Sequence, residues 1–88
     1  MVNSKLTIKY PDGLHVRPAS MFVREAAKFK SKITLTCDGT SVNGKSIMGL
    51  LMLALGPGSI VEITAEGTDE EAALQRLAEI ISGNFDEK

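Results

Sequence analysis

The sequence predicts a two-layer α+β sandwich with its elements in the order β-α-β-β-α-β-α. Four stretches alternate apolar and polar residues with the period of a half-buried strand, and two longer stretches carry apolar residues at helical spacing. The chain has 88 residues, room for one core and not two, so residues 1–88 are expected to form a single domain. Four short strands leave one apolar face to cover, and two amphipathic helices supply the cover.

Leu6, Ile8 and Tyr10 alternate with Lys5, Thr7 and Lys9 in the first strand, which Pro11, Asp12 and Gly13 end. Ala19, Phe22, Val23, Ala26 and Ala27 recur at helical spacing and predict a helix from about Val16 to Lys28. Pro18 fits there only in the first turn, where a missing N–H costs nothing. Ile33, Leu35 and Cys37 mark a second strand, Asp38-Gly39 a turn, and the run through Val42 its hairpin partner. Ser46 caps a short apolar helix reaching about Leu53, closed by Gly56, Pro57 and Gly58. Val61, Ile63 and Ala65 define a strand over Ile60 to Glu66. Thr68 with Glu71 then reads as a capping box for a last helix, about Asp69 to Ser82, with Ala73, Leu74, Leu77, Ile80 and Ile81 on its stripe and Gly83 as its stop.

Composition narrows the function. The longest apolar stretch, Ile47 to Leu55, is far shorter than the roughly 20 residues that span a bilayer, and the N-terminus lacks the apolar core of a signal peptide, so no membrane insertion and a cytoplasmic location are expected. Cys37 is the only cysteine and sits in an alternating run, as a small buried hydrophobe would. Eight basic and three acidic residues lie in 1–45, against two basic and eight acidic in 46–88; this asymmetry suggests a basic face for a phosphate or an acidic partner. The acidic total and scarce aromatic residues weigh against nucleic acid.

His15 is the only histidine and stands between a glycine turn and a helix start. The first turn of a helix offers N–H groups without intrahelical partners and a partial positive charge, so an anion carried there is stabilised. Neutral imidazole is well populated near pH 7 and has a lone pair for nucleophilic attack. Arg17 can reach the same anion and spread transition-state charge, since phosphoryl transfer is mostly alignment and charge neutralisation. Taken alone, a single histidine reads first as a helix cap or a surface residue and only second as a phosphate carrier. A metal site is disfavoured, because no second histidine exists and structural zinc takes four ligands.

The run Gly13-Leu14-His15-Val16-Arg17-Pro18-Ala19 resembles the Gly-x-His-x-Arg-Pro-Ala motif of the HPr family, phosphocarriers of bacterial phosphotransferase systems. The resemblance extends through Asn43-Gly44-Lys45-Ser46-Ile47-Met48-Gly49-Leu50-Leu51-Met52-Leu53 and covers essentially the whole chain. It implies an open-faced sandwich with a four-stranded antiparallel sheet. It also implies that His15 accepts a phosphoryl group from phosphorylated enzyme I and passes it to enzyme IIA domains of sugar permeases. The phosphate would be stabilised by Arg17 with Val16 and Pro18. No cofactor is implied, and a monomer is expected. Val16 stands where alanine or threonine is more usual in the family, and Pro11 departs from its preceding loop.

Around the short helix, Ile47, Met48, Leu51 and Met52 fall on one side and Leu50 and Leu53 on the other, more apolar surface than a short helix can bury. The resemblance makes the surplus side a docking patch, shared with Ser20, Met21 and Arg24 of the first helix. In many family members the serine matching Ser46 is phosphorylated by an HPr kinase/phosphorylase, and the phosphoprotein recruits a transcriptional regulator. The alternatives are therefore a nitrogen-related phosphotransferase carrier and a mainly regulatory binding module acting through phosphorylated Ser46.

Overall fold

In a computed structural model the described residues are 1–11, 13–14 and 16–83, and they form β1 (Val2–Thr7), α1 (Val16–Ala26), β2 (Lys32–Cys37), β3 (Thr40–Asn43), α2 (Ile47–Met52), β4 (Ile60–Glu66) and α3 (Glu70–Ile81). One sheet holds all four strands in the order β1-β4-β2-β3, every neighbouring pair antiparallel. The last strand in sequence thus lies between the first two, and the α1 crossover passes over it. Helices α1 and α3 pack on each other, α3 lies on β1 and β4, and α2 fills the space between α1 and β3. The core between the layers includes Phe22, Leu35, Leu50, Val61, Ile63, Leu77 and Ile80, all fully buried. The other face of the sheet is uncovered and carries the polar half of each alternation.

The first strand begins earlier than the alternation around Leu6 predicts and ends at Thr7. Its length is fixed by its partner: Val2 pairs with Ala65 and Thr7 with Ile60, where β4 starts. Ile8 stays buried and bonded beyond the strand, its N–H donating to the Ser59 carbonyl and its carbonyl accepting from Gly58. The β2–β3 turn is as expected. Asp38 (φ 52°) and Gly39 (φ 81°) are both left-handed between the paired Cys37 and Thr40, as a type I′ hairpin requires. Cys37 is half-buried, and that burial pushes its thiol pKa up, as a packed rather than reactive cysteine should behave.

The capping box expected at α3 is not the one that forms. Asp69, not Thr68, is the N-cap, and its side chain makes no cap bond. Its carboxylate instead accepts from the N–H groups of Lys30 (2.8 Å) and Ser31 (3.0 Å) and from the Ser31 hydroxyl. Reach-back falls to Glu70, which accepts from Gly67 N–H at 3.1 Å. Ser31 is fully buried, and a Cβ on Gly67 would lie 2.7 Å from its hydroxyl oxygen, so the β4–α3 turn sits directly on the start of β2.

The basic excess of the first half of the chain does not become a single face. Antiparallel pairing sets Lys5 opposite Glu62 and Lys32 opposite Glu66, which interleaves charge on the open sheet face. Between the helices, Glu25 of α1 meets Lys28 at 2.9 Å and Arg76 of α3 at 3.2 Å.

Hydrogen bonds from Lys28 and then Arg76 hold the Glu25 carboxyl below its ordinary value, and the Ser31 hydroxyl followed by the Lys30 N–H does the same for Asp69. Folded carboxyls with lowered pKa bind fewer protons than unfolded ones. Their contribution is therefore complete above the usual carboxylate range, near pH 4, and is lost as pH falls through the lower folded values. Thermal melts from pH 2 to 6 should show stability falling with acidity. Asp69→Asn should lower the melting temperature at pH 7 and flatten that acid limb; an unchanged slope would remove Asp69 from this account.

Candidate functional site

The approach to α1 is built from backbone constraints. Gly13 donates its N–H to the Tyr10 carbonyl at 2.9 Å, turning the chain, and adopts φ 74°. A Cβ on it would lie 2.4 Å from the Leu55 carbonyl oxygen and 2.9 Å from Gly56 Cα. Only glycine satisfies both the left-handed backbone and the contact. Leu14 is buried, and its N–H donates to that same Leu55 carbonyl at 2.8 Å. At the outer end of the loop the Tyr10 hydroxyl donates to the Ile80 carbonyl near the end of α3. The chain entering α1 is thus tied to the segment after α2 and to α3.

His15 and Asp12 lie outside the described residues. Helix α1 starts at Val16, immediately after His15, and its first turn carries no acidic side chain. Val16 and Arg17 have exposed side chains, with Val16 62% accessible. Pro18 is buried and has no N–H, so its part in an anion site is limited to holding the turn. Beyond them Arg17, Ser20, Met21 and Arg24 follow one another at helical spacing along one stripe, with Ser20 and Arg24 exposed and Met21 half-buried. Ala19, Phe22 and Ala26 face the core.

The second cluster lies on α2. Met48 (65%), Leu51 (36%) and Met52 (77%) are exposed, while Leu50 is fully buried and Leu53 half-buried. Ile47 departs from the expected grouping, being half-buried and packed against the core. It stands three residues before Leu50, about 60° from it around the helix, and so lies at the edge of the exposed stripe beside that buried neighbour. Ser46 is the N-cap, its hydroxyl accepting from Gly49 N–H at 3.2 Å. Packing of α1 on α2 brings the two clusters to neighbouring helices.

Tyr10 and the Leu55 carbonyl are positioning elements that sequence reading missed. Tyr10 falls on the inward phase of the first alternation, but nothing in the sequence discloses a bond to a carbonyl 70 positions away. Among the described residues no cluster of three His, Cys, Asp or Glu side chains could hold a metal, and no helix is long and apolar enough to cross a membrane.

The fold and its surface define a small open-faced α+β sandwich with a glycine-turned entry to an acid-free helix start and an exposed apolar stripe on the neighbouring helix. The family "PTS HPr component phosphorylation site" matches residues 2–83, and the chain belongs to it. It is 51% identical over 81 residues to the phosphocarrier protein HPr of Borreliella burgdorferi, covering 92% of this chain and 94% of that one. The crystal structure of an HPr from Thermoanaerobacter tengcongensis superimposes with a TM-score of 0.92 at 43% identity, covering 100% of this chain and 99% of that one. Crh of Bacillus subtilis, the catabolite repression protein crystallised as a domain-swapped dimer, superimposes at 0.78 with 42% identity over 99% of this chain and 100% of its own.

Gly39 provides an internal control for Gly13. Both are left-handed, but a Cβ on Gly39 meets nothing within 4 Å. Gly39→Ala should cost about 1 kcal/mol, the left-handed penalty alone. Gly13→Ala should cost at least about 2 kcal/mol more, because the clash is with backbone. Urea unfolding of both variants measures the difference, and equal costs would contradict the close contact.

Proposed function

We propose that residues 1–88 act as one phosphocarrier domain in which the His15 imidazole accepts a phosphoryl group from phosphorylated enzyme I and donates it to enzyme IIA domains of sugar permeases. The observation that carries this reading is the family motif Gly13-Leu14-His15-Val16-Arg17-Pro18-Ala19 running into an α1 whose first turn is free of carboxylates. In the forward step a ring nitrogen lone pair attacks phosphorus. The new P–N bond forms as the donor's bond to phosphorus breaks, and the phosphoryl group leaves again by the reverse displacement at the next protein. The Val16 and Arg17 N–H groups and the helix dipole favour the dianion, and the Arg17 guanidinium offsets charge that builds during transfer. The chain itself turns nothing over; it relays, as a component of a phosphotransferase system, and it needs no cofactor. Its working form is a single chain in the cytoplasm.

Docking falls to Ser20, Met21 and Arg24 of α1 together with Met48, Leu51 and Met52 of α2, with Ile47 at the margin. Two flexible methionines suit a face that meets more than one partner. Incubation with a bacterial enzyme I and phosphoenolpyruvate should give an acid-labile, base-stable phosphate that is absent from His15→Ala and acquired slowly by Arg17→Ala. Label retained by His15→Ala would reject the reading. A nitrogen-related enzyme I run in parallel separates the sugar branch from the nitrogen branch by relative rate.

Ser46 supports a second, regulatory layer, because the matching serine is a kinase target in many relatives and here heads the helix that carries the exposed stripe. A phosphate there is compatible with the helix N-terminus, so its effect would be charge at the docking face, not unfolding. It is in this form that an HPr kinase/phosphorylase and a transcriptional regulator enter as partners. Ser46→Asp should keep thermal stability, since aspartate also caps well, while slowing phosphate acceptance from enzyme I. Ser46→Ala should lose about 1 kcal/mol and leave acceptance unchanged. Equal acceptance rates for both variants would remove Ser46 from regulation.

A further inference from the structure

On the uncovered side of the sheet, at the end where β2 begins and β3 finishes, lies a cleft of about 520 Å³ bordered by Lys30, Lys32 and Lys45. Its lining includes the side chains of Thr34 and Asn43 and contains no carboxylate. The lysines meet where the hairpin ends. Thr34 pairs with Asn43 and Gly44 N–H donates to the Ile33 carbonyl at 2.8 Å; the chain then turns, Ser46 N–H donating to the Asn43 carbonyl and Lys45 N–H to Asn43 Oδ1, which brings Lys45 into the same lining as Lys32.

Nearby acids do not answer that charge. Glu66 lies opposite Lys32 on the other neighbouring strand, yet among the described residues no ion pair joins it to Lys32, and none involves Lys30 or Lys45. Asp69 is committed to the Lys30 N–H and to Ser31. The Lys45 ammonium donates to the Phe29 carbonyl at 2.8 Å, which fixes it at the cleft margin with two N–H donors still to place. The volume is within the range of small-molecule sites.

We propose that this cleft binds a small molecule carrying two phosphate groups, at a site separate from His15. Three lysines lining one cleft supply the charge that paired phosphates require, with lysine acting as a point-charge phosphate ligand and the Thr34 hydroxyl and Asn43 side-chain amide N–H groups adding neutral donors. An acidic peptide fits worse. Following β3 away from the cleft, it would meet the uncharged Ser41 and Thr40 and then Asp38 at the turn. The cleft begins at Lys30, four residues after α1 ends, whereas His15 directly precedes its first residue in the sequence. Eleven helical residues, about 16 Å, separate the two ends.

Inorganic pyrophosphate is the probe, titrated into the ¹⁵N-labelled full chain at constant ionic strength, with sulfate as control. Amide shifts should be centred on Lys30, Lys32, Thr34, Asn43 and Lys45 and should saturate with a Kd below about 1 mM. Lys30→Gln/Lys32→Gln should weaken binding at least about tenfold. Its melting temperature and phosphate acceptance at His15 should stay unchanged, which separates this site from the carrier function. If the double variant unfolds, Lys32→Gln alone serves. Shifts that do not saturate, that sulfate reproduces, or that survive the substitutions would overturn the proposal. So would tighter binding of a poly-glutamate peptide to the same amides.

Discussion

The carbonyl of Leu55 is the point on which the helix entry depends. It accepts from Leu14 N–H, and it lies so close to Gly13 Cα that no other residue fits there. Because Leu55 is itself buried just beyond α2, the position of α1's first turn is set by where α2 ends. The two short-range contacts therefore join two helices that the sequence separates by the whole β2–β3 hairpin. Tyr10, bonded to the Ile80 carbonyl, fixes the other side of the loop against α3. Such ties restrain the loop, since exposed loops are otherwise the most mobile part of a small domain.

The same economy explains α2. Six residues give under two turns, and only Leu50 is fully buried. Sequence spacing indicated too many apolar residues for one buried face, and the structure places the surplus, Met48, Leu51 and Met52, outward. A helix this short gains little from its own hydrogen bonds, so the Ser46 cap and the packing of Leu50 hold it. Met48 and Met52 stay largely accessible after folding and so contribute little burial to the helix that carries them.

What was legible from the sequence divides along a physical line. The order of elements, the inward residues of β2 and β4, the Asp38-Gly39 hairpin and the stripe of α3 were readable, because each follows from local periodicity or local turn chemistry. Strand ends, the α3 cap and the loop ties were not, because each is decided by a distant partner. Thr7 ends β1 because Ile60 begins β4, and Asp69 abandons its cap because Lys30 and Ser31 claim its carboxylate. At the candidate site, Ile47 is set more deeply than its grouping with Met48, Leu51 and Met52 predicts, because angular position around a helix does not resolve the margin between two faces.

Charge shows the same division at a larger scale. Counting along the chain indicated a basic half, yet antiparallel pairing with β4 redistributes it, setting Glu62 against Lys5 and Glu66 against Lys32. On its other side Lys32 faces no acid, since β3 is an edge strand that carries no charged residue. The cleft at that end is lined by three lysines and no carboxylate, and such a lining in a chain of net charge −1 is open to an anion from solution.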